Sequence, residues 1–591
     1  MSFRDPICGM PVKLDEVKYK SEVFGKGYYF CSKDCMHSFV EGPRIAYFSM
    51  EVGVKSEIPT YSGGLGVLAG DTVRSSADLR IPLIALTLIS KRGYVRQKIT
   101  EDGTQLDFPD EWDPSKFFRL LPNIVNVKIE GRDVKVQAWL FEQQSMTGGM
   151  VPILFLDTDV NGNTQEDRGI TDVLYGGDYR YRLKQEIVLG IGGKRMLDAL
   201  NINIKKYHMN EGHSSLLTLE LLKQNNMNPD NVRNLCVFTT HTPVEAAFDK
   251  FPYDVVGNVL GDEIPIEVLK EYGGEEKLNM TFLALRLSKY VNGVTKAHME
   301  YSSKFFPGYH IRSVTNGVHS SWWTCQSFRE LFDKYIPGWV NEPELLVRVD
   351  GISDGEIWEA HLKTKESLIQ LIREKKNIQM DVNALTIGFA RRAAAYKRGT
   401  LIFSDLEKLK KLSKVGTMQF VFAGKAHPRD QAGKDIIKNI YNYIEQLKDE
   451  IKIVYLENYD MDMAAMITSG ADVWLNTPLP PLEASGTSGM KAAHNGVINF
   501  SILDGWWVEG CVEGLTGWAI GPHPNEQVDD SSRRKLELED LYSKLEYLVL
   551  PTFYGRRDEW INMMKNSIGK VAYYFNSHRM MRRYVTDAYL T

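Results

Sequence analysis

The sequence lacks a long hydrophobic run, a dense set of cysteines and an excess of charge of either sign. Its most hydrophobic short run, residues 81–89, is far too short to span a bilayer, and the N-terminus lacks the apolar stretch of a secretory signal. Six cysteines in 591 residues do not make a disulfide framework. The formal net charge of −5, from 71 basic and 76 acidic residues, offers no basic patch to nucleic acid. We therefore expect a soluble, cytoplasmic protein without nucleic-acid or membrane partners.

The chain is long enough for two large domains, and 43% of its residues are hydrophobic. From about residue 44, apolar runs alternate with amphipathic ones, which predicts parallel sheets flanked by helices. The predicted buried strands are residues 82–89, 151–156, 235–238, 384–390, 418–422, 451–456 and 473–475. Several end in polar turns, such as residues 239–243, 424–428 and 476–478. Because ligands bind outside the carboxyl ends of parallel strands, we expect the functional site in these turns.

An amphipathic helix over residues 358–376 precedes the strand at 384–390, and we place the crossing between domains there. The predicted large domains are residues 44–380 and 381–555. A C-terminal segment, residues 556–591, has one apolar helical face and is expected to pack back on the first domain. That face comprises Trp560, Met564, Ile568, Val571 and Phe575.

The strongest motif is residues 483–510, which read EASGTSGMKAAHNGVINFSILDGWWVEG. Its glycines let backbone N–H groups approach an anion, and Lys491 follows them. It is not a Walker loop, because no Gly-Lys pair in the chain precedes Ser or Thr. Taken alone, the motif is also compatible with a glycine-rich turn and a solvated lysine.

This run resembles the cofactor segment of the glycogen and maltodextrin phosphorylases, Glu-Ala-Ser-Gly-Thr-x-x-Met-Lys, and every specified position matches. The resemblance implies that Lys491 carries pyridoxal 5'-phosphate. It also implies an α/β fold of the GT-B type, in which two doubly wound Rossmann-like domains face a cleft. The further cofactor-binding residues it implies are Thr487, Ser488, Gly64 and Trp323.

Other segments resemble the same family in the same order along the chain. They are the glycine loop at residues 62–66, the strand-end turn at 240–242, the turn at 315–318, the basic cluster at 391–398 and an active-site gate at Asp178. Each also has an ordinary interpretation, such as a core histidine at His241 or a solvated basic face. Their joint occurrence in order favours the family.

The resemblance implies an α-glucan phosphorylase, which cleaves terminal α-1,4-linked glucose with inorganic phosphate and gives α-glucose 1-phosphate with retention. Two phosphate groups in one site require clustered Arg and Lys side chains to offset their repulsion. The implied catalytic residues are Arg391, Arg392, Lys397, His241, Asp178 and Glu483, and the implied substrate-binding residues are Asn316, Ser485, Gly486 and Leu65. Two alternatives remain open: a nucleotide-sugar-dependent GT-B glucosyltransferase, similar to glycogen synthase, and a non-catalytic glucan-binding or metal-sensing protein.

The sequence departs from the family at several positions. Arg391 stands where the better-known phosphorylases have lysine, and Ala394 and Ala395 replace a His-Glu pair. Glu211 replaces an aspartate. These differences resemble the shorter microbial branch and leave open the preferred glucan, allosteric control and whether the chain forms a homo-oligomer.

Residues 1–43 form a separate unit, because half of the cysteines lie in this short segment. The surroundings of Cys8, Cys31 and Cys35 resemble the YHS/TRASH metal-binding module, a small treble-clef-like unit. Three thiolates suit zinc or copper, with His37 or water completing the ligand shell. The alternative is a degenerate module with three reduced, buried cysteines.

Overall fold

The computed structural model describes residues 2–5, 10–13, 17–23, 26–40, 44–242 and 248–591. A nine-stranded sheet organises the first half of the chain. Its strands, in spatial order, are Arg312–Ser313, Tyr290–Gly293, Cys236–Thr239, Lys206–Asn210, Ile45–Ser49, Leu83–Leu88, Met150–Asp157, Arg132–Gln144 and Arg119–Ile129. The first seven are parallel, and the last two form a long antiparallel hairpin at the edge. This hairpin was not predicted from the sequence.

A second sheet of six parallel strands organises the rest of the chain. Its strands, in spatial order, are Lys452–Leu456, Met418–Ala423, Leu385–Ala390, Val473–Asn476, Ile498–Ile502 and Gly517–Ile520. All seven predicted buried strands are therefore confirmed, with no end shifted by more than one residue. Most of the parallel strands of both sheets are buried on both faces, as is typical of parallel sheets. In the strand Ile45–Ser49, Ala46 and Phe48 join one core while Ile45 and Tyr47 join another.

Helices cover both sheets. Those before the crossing are Gly64–Asp78, Gln165–Arg168, Tyr179–Ile187, Gly193–Ala199, Leu217–Gln224, Pro229–Leu235, Tyr253–Leu260, Ile266–Gly273, Met280–Arg286, Lys296–Phe305, Ser320–Trp323 and Gln326–Tyr335. Those from the crossing onward are Asp354–Lys376, Leu406–Val415, Gln431–Leu447, Met461–Gly470, Ser488–Ala493, Trp507–Gly510, Asp530–Lys544, Leu550–Gly555, Arg557–Asn566 and Ser577–Tyr584. No helix of the described ranges is both long and apolar enough to cross a membrane.

The helix predicted at the crossing is Asp354–Lys376. It begins where Ser353 accepts the N–H of Glu356, and it ends at Asn377 in the left-handed conformation. Residues 318–360 pack in the core of the second sheet, so the chain reaches that core before the crossing helix ends. The division at residue 380 stays a prediction.

The C-terminal segment contacts both halves of the protein. The apolar face predicted from Trp560 to Phe575 packs in the core of the second sheet. The return to the first sheet is made by the last helix, Ser577–Tyr584, through Met580, Met581 and Tyr584. The C-terminal segment therefore packs first in the core of the second sheet and then against the first sheet.

A small arm joins the two halves near the cleft. Its strands are Arg96–Ile99 and Gln105–Phe108. The Gln97 side chain donates to the Gly424 carbonyl at 2.9 Å, and the Gln105 side chain donates to the Ala426 carbonyl at 2.9 Å. These contacts hold the turn after a strand of the second sheet against the first half of the chain.

The N-terminal unit contains strands Ser2–Arg4, Pro11–Lys13, Tyr19–Val23 and Lys26–Phe30, followed by the helix Lys33–Val40. The hydroxyl of Tyr28 bonds to Glu142 on the long edge hairpin. The unit therefore contacts the edge of the first sheet. Its assignment as a treble clef stays a prediction.

Candidate active site

A cavity of about 830 Å³ lies between the two sheets. Turns at the carboxyl ends of strands from both sheets line it. Glu51, Glu211 and His241 come from the first sheet, and Arg391 and Lys425 come from the second. The turns that begin at residues 239 and 424 therefore line the cavity as expected, whereas residues 476–478 are not part of its lining.

The residues named from the sequence meet in this cavity. Its lining includes Gly64, Leu65, Asp178, His241, Asn316, Arg391, Arg392, Lys397, Glu483, Ser485, Gly486, Thr487, Ser488 and Lys491. Trp323 lies behind the lining, against Lys491. Their individual roles remain predictions.

The glycine loop ends in the helix Gly64–Asp78, whose N-terminus borders the cavity. The N–H groups of Ser62 and Gly63 donate to the carboxylate of Glu51 at 2.6 and 3.2 Å. The next amides begin the helix, where no intrahelical acceptor exists for them. Such a terminus favours an anion. Glu51 was not identified from the sequence.

The turn after the strand Lys206–Asn210 holds His241 in place. Glu211 has a positive φ of 71°, an unusual conformation for a side-chain-bearing residue. Its carboxylate accepts hydrogen bonds from the backbone N–H of His241 at 2.7 Å and from the Thr242 hydroxyl at 2.9 Å. The Nε2 atom of His241 lies 2.6 Å from Asn210 Oδ1. Burial lowers the pKa of His241 to about 3, so the ring is neutral.

Asn316 presents an open acceptor to the cavity. Its Oδ1 atom is buried and has no hydrogen-bond partner among the described residues. Arg579 donates to the Asn316 carbonyl at 3.0 Å. A Cβ atom on Gly317 would lie 2.2 Å from the Asn576 carbonyl oxygen, so this turn packs closely on the C-terminal segment.

The basic cluster is organised by a carboxylate. Arg391 Nη2 and Lys397 Nζ both donate to Glu483 Oε2 at 2.5 Å. The resemblance implied a phosphate for both cations, whereas in this structure they share Glu483. Burial alone would raise the pKa of Glu483, but these two cations lower it to about 2. Arg391 Nε and Nη1 are buried without a partner in the described part of the chain, so this guanidinium retains donors for a ligand.

Asp504 lies directly behind Glu483 and was not identified from the sequence. Its carboxylate accepts the Glu483 N–H at 2.9 Å and the Gly505 N–H at 2.9 Å. Burial, together with the charge of Glu483, raises the pKa of Asp504 to about 7. Its protonation therefore changes near neutral pH.

Lys491 fits covalent attachment of an aldehyde cofactor. Burial lowers the pKa of its amine to about 8, which gives a substantial neutral, nucleophilic fraction near neutral pH. The Nζ atom lies 3.7 Å from the centre of the Trp323 ring. The unpartnered donors of Arg391 and the helix N-terminus at Gly64 are suited to a phosphate group in the same cavity. The residues present therefore fit pyridoxal 5'-phosphate.

Several lining residues were missed because only the fold brings them to the cavity. Asp249 accepts from Arg182 Nη2 at 2.9 Å, and the Arg182 guanidinium lies 4.5 Å from the centre of the Tyr175 ring. Tyr175 donates to Glu51 at 2.8 Å and has a positive φ of 56°. These contacts connect the glycine loop to the outer part of the cavity. No local sequence pattern marks Tyr175 or Asp249.

The two walls of the cavity differ in charge. The first-sheet wall carries four carboxylates and one arginine: Glu51, Asp178, Glu211, Asp249 and Arg182. The second-sheet wall carries mostly cations: Arg391, Arg392, Lys397, Lys425, Arg429 and Lys491, with Glu483 and Asp460. Carboxylates accept hydrogen bonds from hydroxyl groups, and basic groups bind phosphate. The first-sheet wall is therefore suited to a neutral polyol, and the second-sheet wall is suited to phosphates.

A second cluster lies in the N-terminal unit. Ligand atoms of Asp5, Cys31 and Cys35 all lie within 4.8 Å of one another. Asp5 is fully buried and accepts the Cys31 N–H at 2.7 Å, and the two sulfurs are 3.9 Å apart. Cys8 and the side chain of His37 lie outside the described residues. Asp5 was not identified as a ligand from the sequence.

Fold and cavity together define an α/β protein with two large sheets and a cleft between them that is suited to anions and hydroxyl groups. A family model described as carbohydrate phosphorylase matches residues 263–543, and one described as the YHS domain matches residues 3–45. Maltodextrin phosphorylase of Thermococcus litoralis is 40% identical, over 92% of this chain and 70% of its own length. Glycogen phosphorylase of Aquifex aeolicus is 37% identical, over 92% of this chain and 86% of its own length. Glycogen phosphorylase of Mycobacterium tuberculosis is 36% identical, with corresponding shares of 92% and 70%.

The chain therefore belongs to the carbohydrate phosphorylase family and carries a YHS domain near its N-terminus. The family resemblance drawn from the motifs is confirmed. The mixed α/β architecture with two large parallel-containing sheets is consistent with the GT-B fold of that family.

Proposed function

We propose that this protein is an α-glucan phosphorylase that releases terminal α-1,4-linked glucose as α-glucose 1-phosphate, with retention. One observation carries the proposal: a single cavity joins Lys491 and the unpartnered donors of Arg391 to the acceptor Oδ1 of Asn316. The names of the relatives, maltodextrin and glycogen phosphorylase, support it. The open cavity between the two sheets gives room for the end of a glucan chain.

In this proposal the second-sheet wall binds the phosphates together with the helix N-terminus at Gly64. Lys491 holds pyridoxal 5'-phosphate, whose phosphate group supplies proton-transfer chemistry when the cofactor is bound. Arg391 and Arg392 offset the repulsion between that phosphate and the incoming one. Lys397 and Arg391 remain tied to Glu483, which keeps both cations at the reacting end of the sugar.

The first-sheet wall orients the sugar. His241 is neutral and fixed by Asn210 and Glu211, so it presents one nitrogen to a hydroxyl group. Asn316 offers its free acceptor from the neighbouring turn. Ser485 Oγ, buried without a partner in the described chain, supplies a further contact from the opposite loop. Asp178 lies exposed at the cavity edge, which supports its assignment as a gate.

The direct test is incubation of purified protein with maltoheptaose and inorganic phosphate. We expect α-glucose 1-phosphate, identified by its anomeric proton and phosphorus signals in NMR. A nucleotide-activated glucose should give no chain elongation. Elongation from a sugar nucleotide without phosphate-dependent cleavage would replace this proposal with the glucosyltransferase alternative.

Gly66 gives a test of the glycine loop. A Cβ atom at Gly66 would lie 2.6 Å from Glu51 Oε2 and 2.7 Å from Tyr61 Cβ, so Gly66→Ala must displace the loop. We expect the KM for phosphate to rise about tenfold, as for the loss of one good charge-assisted contact. Gly257→Ala is the matched control, because it also adds a methyl group to a helix and meets no atom within 4 Å. Equal phosphate KM values in the two variants would contradict the role of the loop.

We also propose that the YHS domain binds one zinc or copper ion and folds as a treble-clef-like unit. Cys31, Cys35 and the newly identified Asp5 support this, since they place two thiolates and a carboxylate together. Replacing Cys31 and Cys35 with Ser should reduce the bound metal from about one ion per chain to none, measured by mass spectrometry of the metal. A metal-free wild type purified under reducing conditions would leave the unit as a degenerate cap.

Deletion of residues 1–43 tests whether the unit serves catalysis. All the cavity residues lie after this segment, and the bond between Tyr28 and Glu142 places the segment at the edge of the first sheet. We therefore expect the truncated protein to keep phosphorolysis within about twofold, a change too small to reflect a lost catalytic contact. Loss of activity in a folded, cofactor-loaded truncation would instead assign the unit to the control of the active site.

A further inference from the structure

A buried carboxylate outside the cavity joins three distant parts of the chain. Asp78 Oδ2 lies 2.7 Å from His319 Nε2 and 3.0 Å from His578 Nε2. Asp78 is at the end of the glycine-loop helix Gly64–Asp78, His319 precedes the short helix Ser320–Trp323, and His578 is on the last helix. Burial alone would raise the pKa of Asp78, but the bonds from the two histidines lower it far below its usual range, so the group is ionised.

The hydrogen bonds fix the tautomer of His319. Its Nδ1 atom accepts the Trp322 N–H at 3.2 Å and thereby caps the helix Ser320–Trp323. A nitrogen that accepts an N–H bond carries no proton, so the proton of the neutral ring is on Nε2, which faces Asp78. Asp78 therefore holds His319 in the form that caps this helix.

The capped helix carries the surface on which the cofactor lysine lies. Trp323 is its last residue, and the Lys491 Nζ atom is 3.7 Å from the centre of that indole ring. The Trp323 Nε1–H donates to Asp71 at 2.8 Å. Asn495 donates to the carbonyls of both Trp323 and Lys491 at 2.9 Å. A shift of the short helix is therefore transmitted to Lys491.

We propose that Asp78 and His319 are positioning residues for the cofactor, because they fix the helix that presents Trp323 to Lys491. His578 ties the last helix to the same oxygen and makes the arrangement depend on the C-terminal segment. This inference rests on the proposed function, since it concerns the same Lys491.

The chemistry of the cluster argues against a metal site, although two histidines and a carboxylate are common metal ligands. A histidine binds a metal through a deprotonated nitrogen. In His319 the proton is on Nε2, because Nδ1 accepts a hydrogen bond, and the Nε2–H group donates to Asp78. The cluster is therefore a hydrogen-bonded junction.

The test measures retention of pyridoxal 5'-phosphate. The holoenzyme of each variant is diluted into cofactor-free buffer at a temperature well below its melting temperature. The first-order loss of the bound chromophore is then followed by absorbance. His319→Ala removes the cap and should accelerate the loss about tenfold, the size expected for a lost N-cap. His319→Asn should restore retention to near the wild-type rate, because asparagine caps helices and can donate to Asp78. Asp78→Asn should behave like His319→Ala.

His361→Gln is the matched control. His361 is another buried histidine that bonds through Nε2 to a buried aspartate, Asp472, at 2.8 Å, away from the cavity lining. We expect it to lower the melting temperature and leave cofactor retention unchanged. Unaltered retention in His319→Ala would overturn the inference, as would equal acceleration in His319→Ala and His319→Asn. A stoichiometric metal ion lost in both His319 variants would also overturn it. If the wild-type protein carries the cofactor, any of these results contradicts this inference alone. If the wild-type protein carries no cofactor on Lys491, the proposed function is contradicted as well.

Discussion

Lys491→Arg should abolish phosphorolysis. Arginine keeps the positive charge beside Trp323 but has no amine that reacts with an aldehyde, so the protein should contain no covalently attached pyridoxal 5'-phosphate. We expect a loss of at least about 10³-fold in kcat, a size typical of removing an essential catalytic component. The measurements are phosphate-dependent release of glucose 1-phosphate and the mass of the borohydride-reduced peptide that contains residue 491.

The pH dependence of cofactor attachment gives a second measurement on the same residue. Attachment requires the neutral amine, and burial lowers the pKa of Lys491 to about 8. The rate of attachment to the apoprotein should therefore rise with pH up to about 8 and then level off. A solvent-exposed lysine would continue to gain rate up to its ordinary pKa of about 10.4. Attachment at another lysine, or full activity of Lys491→Arg, would contradict the assignment.

Glu483→Gln should reduce kcat/KM by about 10²-fold or more. The substitution removes an anionic acceptor for sugar hydroxyls and leaves Arg391 and Lys397 without their shared carboxylate. A hydrogen bond to a charged group contributes up to about 3 kcal/mol, equivalent to about a hundredfold in kcat/KM. Kinetics at varied glucan and phosphate concentrations would show whether kcat falls together with substrate affinity.

Glu483→Gln should also change how the free energy of unfolding depends on pH in the acidic range. The pKa of Glu483 is depressed to about 2 in the folded protein, below its ordinary value. Its contribution to the free energy of unfolding is therefore complete above the ordinary pKa of about 4.3 and is lost as pH falls towards 2. Glu483→Gln should flatten this part of the curve, measured by urea unfolding at several pH values.

Glu537→Gln is the control for Glu483→Gln. Glu537 is also fully buried and pairs with Arg398 at 2.7 Å, but it does not line the cavity. We expect it to lower stability and to leave kcat/KM within about twofold, since no substrate contact is removed. Equal losses of activity in the two variants would assign the effect of Glu483→Gln to general destabilisation.

Much of the fold was predictable because parallel strands buried on both faces leave continuous apolar runs. The runs at residues 418–422 and 473–475 proved to be strands, and the polar turn after the first of them lines the cavity through Lys425 and His427. The long hairpin Arg119–Gln144 was missed because its half-buried strands alternate apolar and polar residues instead. Most of the site residues that were predicted from linear motifs lie in one cavity.

The remainder depends on contacts between segments far apart in the sequence. Glu51 and Tyr175 meet only because the chain between them folds back on the first sheet. The pairing of Arg391 with Glu483 likewise requires two strands of the second sheet to be adjacent at their ends. No spacing rule relates such residues. Motifs therefore indicate which segments form the site, while packing decides which side chains contact each other.

The turn that carries Asn316 rests on residues near the C-terminal end of the described chain, and this has a consequence for biosynthesis. The Val318 N–H donates to the Phe575 carbonyl, the Ser577 N–H donates to the Val318 carbonyl, and Arg579 holds the Asn316 carbonyl. During translation these partners emerge from the ribosome long after the first sheet has been made. A nascent chain therefore cannot complete the turn that carries Asn316 until residues 575–579 have emerged. If that turn binds the glucan as proposed, the growing chain should gain glucan affinity only after residues 575–579 have been made.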